Sequence, residues 1–178
     1  MAGYDYESKI ISIPDYPEPG VIFKDITPLF TDPEAMRSLV DEIADHFADR
    51  GITKVVAPEA RGFLVGAPVA IKLGAGFVPA RKPGKLPRAV YKQAYSLEYG
   101  TNELQIHQDA LSADDKVLLI DDLVATGGST VAAAKLSTVN GAKIEGFAFI
   151  MELAFLNPRE VLAKDYPDVE VFSLVKVK

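Results

Sequence analysis

The hydrophobic positions of this chain follow two rhythms, which change at Gly51. Before it, Met36, Leu39, Val40, Ile43 and Phe47 recur at helical spacing, with Asp41, Glu42, Asp45 and Asp49 between them. One face of that segment is apolar and the other acidic, which predicts a helix lying on a core. Thr31-Asp32-Pro33-Glu34 reads as its capping box and Gly51 as its stop. After Gly51, short apolar runs bounded by turn residues predict buried strands over 54–57, 77–80, 117–120, 144–151 and 171–175. Helical stretches fall between some of them, at 63–72 and 129–139. The strand runs are β-branched and almost wholly apolar, as strands are when helices cover both faces of a parallel sheet. The expected fold is α/β, a doubly wound, mostly parallel sheet flanked by helices, in a single domain over 1–178. The first thirty residues break the pattern. Pro14, Pro17, Pro19 and Pro28 mixed with Tyr4, Tyr6, Tyr16, Phe23 and Phe30 predict ordered irregular chain wrapped on the domain.

Composition narrows the function more than the fold. A net charge of −6 speaks against a nucleic-acid partner or an acidic membrane surface, since either needs a broad basic face. With no cysteine, disulfides, thiolate metal sites and cysteine nucleophiles are excluded. Two histidines are too few for a typical histidine metal cluster. The amino terminus lacks the basic start and apolar centre of a signal peptide, and no apolar run is long enough to span a bilayer. The expected location is the cytoplasm.

The chemistry concentrates after one strand. The run 117–120 ends in Asp121 and Asp122, and a short loop leads to Ala125, Thr126, Gly127, Gly128, Ser129 and Thr130 at the start of an alanine-rich helix. Glycines admit an anion close to backbone amides, hydroxyls donate to it, and a helix start adds unpaired N–H groups. No lysine follows the glycines, so this is not the nucleotide P-loop. The carboxylates upstream suit vicinal ribose hydroxyls, and the segment reads as a holder for ribose 5-phosphate. Either half alone would serve equally as a strand end or a helix cap. A second cluster, Arg81, Lys82, Lys85, Arg88 and Lys92, is free of acidic residues in an acidic protein, and its prolines and glycine predict a loop. It is either a solvated face or a cover for a polyanion.

The segment 117–130 resembles the phosphoribosyl pyrophosphate (PRPP) signature of the type I phosphoribosyltransferases. Three more segments are similar to the adenine phosphoribosyltransferase family: Pro19-Gly20-Val21-Ile22-Phe23-Lys24-Asp25-Ile26-Thr27-Pro28, Ala57-Pro58-Glu59-Ala60-Arg61-Gly62-Phe63, and Arg81-Lys82-Pro83-Gly84-Lys85-Leu86-Pro87 with Tyr95-Ser96-Leu97-Glu98-Tyr99-Gly100. The similarity runs in register from about residue 14 to 174. It implies a type I phosphoribosyltransferase fold with an amino-terminal base-binding hood over 1–30 and a mobile catalytic flap over 81–106. It further implies purine salvage, in which adenine displaces pyrophosphate from PRPP to give AMP.

The same resemblance assigns roles. Asp121 and Asp122 hold the ribose and the residues from Ala125 to Thr130 its 5′-phosphate. Arg61, Arg81, Lys82 and Lys85 bind pyrophosphate, with Arg61 also catalytic, and Glu98 handles the purine proton. Val21, Ile22, Phe23, Lys24 and Leu156 line the adenine site, with Phe23 equally suited to the core. Lys24 stands where arginine is common in the family, and lysine is not an equivalent donor. Mg²⁺ is expected as a cofactor held by substrate and water, with no dedicated protein site. The Glu59-Ala60 peptide is expected to be cis, and Arg81 to reach the neighbouring site of a homodimer. The alternatives are a phosphoribosyltransferase for xanthine or hypoxanthine, and a PRPP-sensing regulator on the same fold.

Overall fold

The computed structural model describes residues 4–96 and 100–178. The chain opens with a hairpin of β1 (Ile11–Pro14) and β2 (Ile22–Asp25), then α1 (Thr27–Thr31) and α2 (Pro33–Phe47). The α/β part follows as β3 (Lys54–Pro58), α3 (Arg61–Leu73) and β4 (Gly76–Ala80). A second hairpin comes next, β5 (Val90–Ser96) with β6 (Thr101–His107). The chain then runs through β7 (Lys116–Val124), α4 (Gly128–Thr138), β8 (Lys143–Leu153), α5 (Pro158–Asp165) and β9 (Val171–Val177). Five of these strands form one parallel sheet in the order β4-β3-β7-β8-β9.

The apolar strand runs are explained by what each face meets. Val55, Ala57, Leu118, Ile120, Ala148 and Ile150 pack with Leu39, Ile43 and Phe47 of α2 and with Val65 and Val69 of α3. Their neighbours Val56, Leu119, Phe147 and Phe149 point the other way, against Ala132, Ala133 and Leu136 of α4 and Leu104 and Ile106 of β6. Period-two alternation therefore sorts one set of strands into two cores, and both must be apolar. The register between β7 and β8 slips once, so that Val117 faces Ile144 but Leu118 faces Gly146. Gly146 lies directly under Phe47, whose ring would be 2.2 Å from a Cβ at that position.

The predicted architecture holds, and each predicted strand is present, extended by one to a few residues. Three local readings change. The cap of α2 is Asp32, not Thr31: its carboxylate accepts from Glu34 N at 2.9 Å and Ala35 N at 3.2 Å. Thr31 instead ends α1, where its hydroxyl donates to the Pro28 carbonyl. The first thirty residues are not wholly irregular, because main-chain pairing from Ile11↔Asp25 to Pro14↔Ile22 makes a hairpin whose turn holds a cis Tyr16-Pro17 bond. Tyr6 fastens the segment ahead of it to α2, its hydroxyl donating to Glu42 at 2.9 Å. The basic stretch is loop only as far as Ala89; Val90, Tyr91 and Lys92 already pair with His107, Ile106 and Gln105. Among the described residues, no helix is long and apolar enough to cross a membrane.

Candidate functional site

Strands β3 and β7 lie side by side, but the chain leaves them in opposite directions, through α3 toward β4 and through α4 toward β8. A crevice opens where such connections diverge, outside the carboxyl ends of the strands. Here it is a cavity of about 500 Å³, lined by the loop after β3, the loop after β7 and the β5/β6 hairpin.

From β3 come Pro58, Glu59, Ala60 and Arg61, with the Glu59-Ala60 peptide cis. From β7 come Asp121, Asp122, Leu123, Ala125, Thr126, Gly127 and Ser129. Arg61 opens α3, and its Nε lies 2.7 Å from Oδ2 of the buried Asp122. That oxygen nevertheless has no aligned hydrogen bond, so the contact is one of charge with a poorly directed N–H. Gly62 is the residue that lets α3 approach: a Cβ there would sit 2.8 Å from Oδ1 of Asp121. The same oxygen accepts from the Asp122 backbone N–H at 2.8 Å.

Burial, and next the negative charge of Asp122, hold the Asp121 carboxyl well above the usual carboxylate range. A carboxyl whose pKa is raised by folding contributes stability below its unfolded pKa and loses it as pH rises through the folded pKa. Asp121→Asn is therefore expected to raise Tm at neutral pH, with the gain vanishing as pH falls toward about 4. Thermal unfolding across that range checks it; an unchanged or lower Tm at neutral pH rejects the account.

The phosphate-loop candidates gather at the start of α4. Gly127 is left-handed, with φ of 90°, and α4 begins at Gly128 with no side chain capping it. No side chain accepts from its first amides, and Gly127 and Ser129 at this positive end of the helix line the cavity. Gly127 also packs closely, since a Cβ there would lie 3.4 Å from the Pro158 carbonyl. Gly128 and Thr130 complete the turn, Thr130 being buried.

The basic cluster is dispersed. Lys82 lines the cavity, and its backbone N–H donates to Glu59 Oε1 at 2.7 Å. Arg81 turns toward the same carboxylate, Nε at 3.4 Å, and its backbone bridges to Gln105. Lys85 meets Arg81 through its carbonyl, and Arg88 pairs with Asp109. Glu98, together with Leu97 and Tyr99, lies outside the described residues. Tyr95, Ser96, Asn102 and Leu104 also line the cavity. Asn102 and Leu104 escaped the sequence reading, because only the β5/β6 register, which sets Asn102 opposite Tyr95, brings them there.

The base-site candidates do not line this cavity. Ile22 and Val21 are exposed, as are Phe155 and Leu156 beyond the end of β8. Phe23 lies outside both cores and packs edge-on against Tyr16, with ring centroids 5.3 Å apart. Lys24 donates to Ser12 Oγ at 2.7 Å and faces a separate cleft beside Lys176 and Lys178. Among the described residues no group of three or more histidine, aspartate or glutamate side chains could hold a metal ion.

Residues 30–178 match the phosphoribosyl transferase domain family. The adenine phosphoribosyltransferase of Gloeobacter violaceus is 53% identical over 169 residues, covering 95% of this chain and 99% of its own. The chain belongs to the adenine phosphoribosyltransferase family. Solved structures agree in shape. The adenine phosphoribosyltransferase of Thermoanaerobacter pseudethanolicus superposes with a TM-score of 0.90 at 44% identity, covering 97% of this chain and 98% of that one. The enzyme of Giardia lamblia, solved with 9-deazaadenine, gives 0.91 at 36% identity, covering 98% and 97%. The general domain match begins only at Phe30, whereas the match to the Gloeobacter relative leaves out so few residues that it takes in most of the β1/β2 hairpin region. That hairpin thus belongs to what this chain shares with the adenine enzymes beyond the common phosphoribosyltransferase domain.

Proposed function

We propose that this protein transfers the 5-phosphoribosyl group from PRPP to adenine, forming AMP and releasing pyrophosphate. The observation behind this reading is the meeting, in one cavity, of the Asp121/Asp122 pair, Arg61 and the uncapped start of α4. Asp121 and Asp122 accept from the ribose hydroxyls. Ala125, Thr126, Gly127, Gly128, Ser129 and Thr130 surround the 5′-phosphate, so that remote binding holds C1 in line for attack. Positive charge develops on the ribose ring as pyrophosphate leaves, and the carboxylates beneath it stabilise that charge. Arg61 and Lys82 face the departing pyrophosphate, with Arg81 and Lys85 at the root of the flap. Glu98 takes the proton from the purine as its nitrogen bonds to C1.

The donor set suits a hydrated Mg²⁺ that takes most of its ligands from substrate, because Asp121 and Asp122 offer carboxylate oxygens while no three acidic side chains among the described residues come together to hold a metal. When bound, the ion neutralises pyrophosphate and stabilises it as a leaving group. Adenine is held by the apolar surface of the β1/β2 hairpin region, with exposed Val21 and Ile22 and half-buried Phe23, and by the exposed Leu156. Exposed apolar patches of this kind mark ligand grooves. Lys24 supports this hairpin through Ser12 rather than contacting the base. The working form is a homodimer in the cytoplasm. Leu64 and the 81%-exposed Ile71 on α3 provide an apolar face for a second subunit, to whose site Arg81 extends.

Pyrophosphate release with PRPP and Mg²⁺, assayed across adenine, hypoxanthine, guanine, xanthine and orotate, tests the reading. AMP from adenine alone is expected, with Glu98→Gln lowering kcat by about a hundredfold. Turnover of a 6-oxopurine in place of adenine overturns the base assignment. PRPP binding without turnover of any base makes the protein a sensor.

A further inference from the structure

Beyond the cavity, the most heavily buried charge among the described residues is Glu152, near the end of β8 and 2% exposed. Arg159, in the first turn of α5, grips it with both arms of its fork, Nε at 2.7 Å from Oε1 and Nη2 at 2.8 Å from Oε2. Ser173 of β9 donates to Oε2 at 2.8 Å. Burial would raise the pKa of this carboxyl, but the hydrogen bonds from Arg159 and Ser173 and the Arg159 charge hold it below the usual glutamate range. A buried ion pair is weak evidence of stabilisation, since apolar residues of similar volume commonly do as well. What this pair encloses suggests another use.

The ion pair closes a seven-residue step that contains the 3₁₀ turn Ala154–Leu156 and Asn157 in a left-handed conformation. That step presents to solvent Leu156, the residue that the proposed function sets against adenine. Glu152 stands opposite Val124 in the sheet, the residue that leads into the phosphate loop. Pro158 and Val161 of α5 press on Gly127 within that loop. The clamp therefore fastens the base-facing turn and the phosphate loop to one frame.

We propose that Glu152, Arg159 and Ser173 are positioning residues that set the turn carrying Leu156 at a fixed height relative to the ribose phosphate, and so align the purine with C1. This rests on the adenine reading above for Leu156 alone. Loosening the clamp misplaces the base without removing a group that touches substrate, and misplacement by about 1 Å can cost on the order of a hundredfold.

The test uses Arg159→Lys, which keeps the charge but loses the fork, with Ser173→Ala as the milder partner and Arg159→Leu as the severe one. Steady-state kinetics against adenine and PRPP separately are read beside amide hydrogen exchange over 154–157. Arg159→Lys is expected to lower kcat/KM for adenine by at least about tenfold, leave KM for PRPP within about threefold, and speed exchange in the turn. Ser173→Ala should do the same to a lesser degree. A lower Tm with native adenine kinetics and native exchange over 154–157 overturns the proposal and leaves the pair a structural one. If the native protein makes no AMP, the adenine reading fails by itself; hydrogen exchange then still decides whether the clamp orders the turn.

Discussion

Replacing Arg61 by alanine is expected to lower kcat/KM for PRPP by about a thousandfold, the upper end of what losing one preorganised charge-stabilising donor costs. The geometry explains why no neighbour substitutes for it. Asp122 engages Nε, the nitrogen nearest the stem, at 2.7 Å, and the arginine side chain stays partly exposed. The terminal nitrogens of its flat fork are the part of arginine that grips a phosphate bidentately. Lysine has no second arm and no planar constraint, so Arg61→Lys is expected to recover only a minor share of the loss. The arginine also neutralises a carboxylate that is otherwise buried without an aligned donor. Arg61→Ala should therefore lose stability as well, and the added change Asp122→Asn should return that stability without returning activity. Initial rates against PRPP and thermal unfolding of both variants check this. An Arg61→Ala rate constant within tenfold of the native value contradicts the assignment.

The second large effect is structural and lies far from the chemistry. Gly146→Ala is expected to destabilise the fold by about 3 kcal/mol, the upper part of the usual overpacking range. At this chain length that corresponds to a fall in Tm of about 10 °C. The added methyl would lie 2.2 Å from Cε1 and 2.9 Å from Cζ of Phe47. Phe47 has no room to yield: it is fully buried, with His46 and Phe172 packed edge-on against it. Phe47→Leu in the Gly146→Ala background should recover part of the loss, although each change alone destabilises. Denaturant unfolding of the full double-mutant cycle measures that coupling. A Gly146→Ala protein within 1 kcal/mol of native, roughly a fivefold change in the folding equilibrium, would mean that β8 shifts where we expect the ring to be trapped.

How far the sequence revealed these features depended on whether each was written in neighbouring residues or in distant ones. The sheet was legible because both of its faces are covered, which makes 117–120 or 171–175 stand out as unbroken apolar runs. The Asp121/Asp122 pair and the glycines behind it were legible as one local string. The β1/β2 hairpin was not, because every residue of β1 is exposed and no burial rhythm marks it. Asp32 was overlooked as the cap because Thr31 fits the same motif, and only the placement of Thr31 within α1 separates them. Nothing local marks Glu152, which closes an otherwise apolar run and finds its partners 7 and 21 positions away. The dispersal of Arg81, Lys82, Lys85 and Arg88 was hidden for a related reason, since their partners Glu59 and Asp109 lie on other segments.

The parting of the chain from β3 and β7 in opposite directions has a consequence for how this molecule can change. The cavity is lined partly by strand residues such as Asp121 and Asp122 and partly by connecting loops such as Glu59-Ala60 and Ala125-Thr126-Gly127, while the strands beneath keep their apolar contacts on both faces. Recognition and support are thereby written largely in separate stretches of chain. A new acceptor base could be accommodated by rewriting the amino-terminal hairpin and the turn after β8 while the ribose phosphate holder is inherited intact. A chimera that exchanges those two segments alone should keep its grip on PRPP and change its taste in bases.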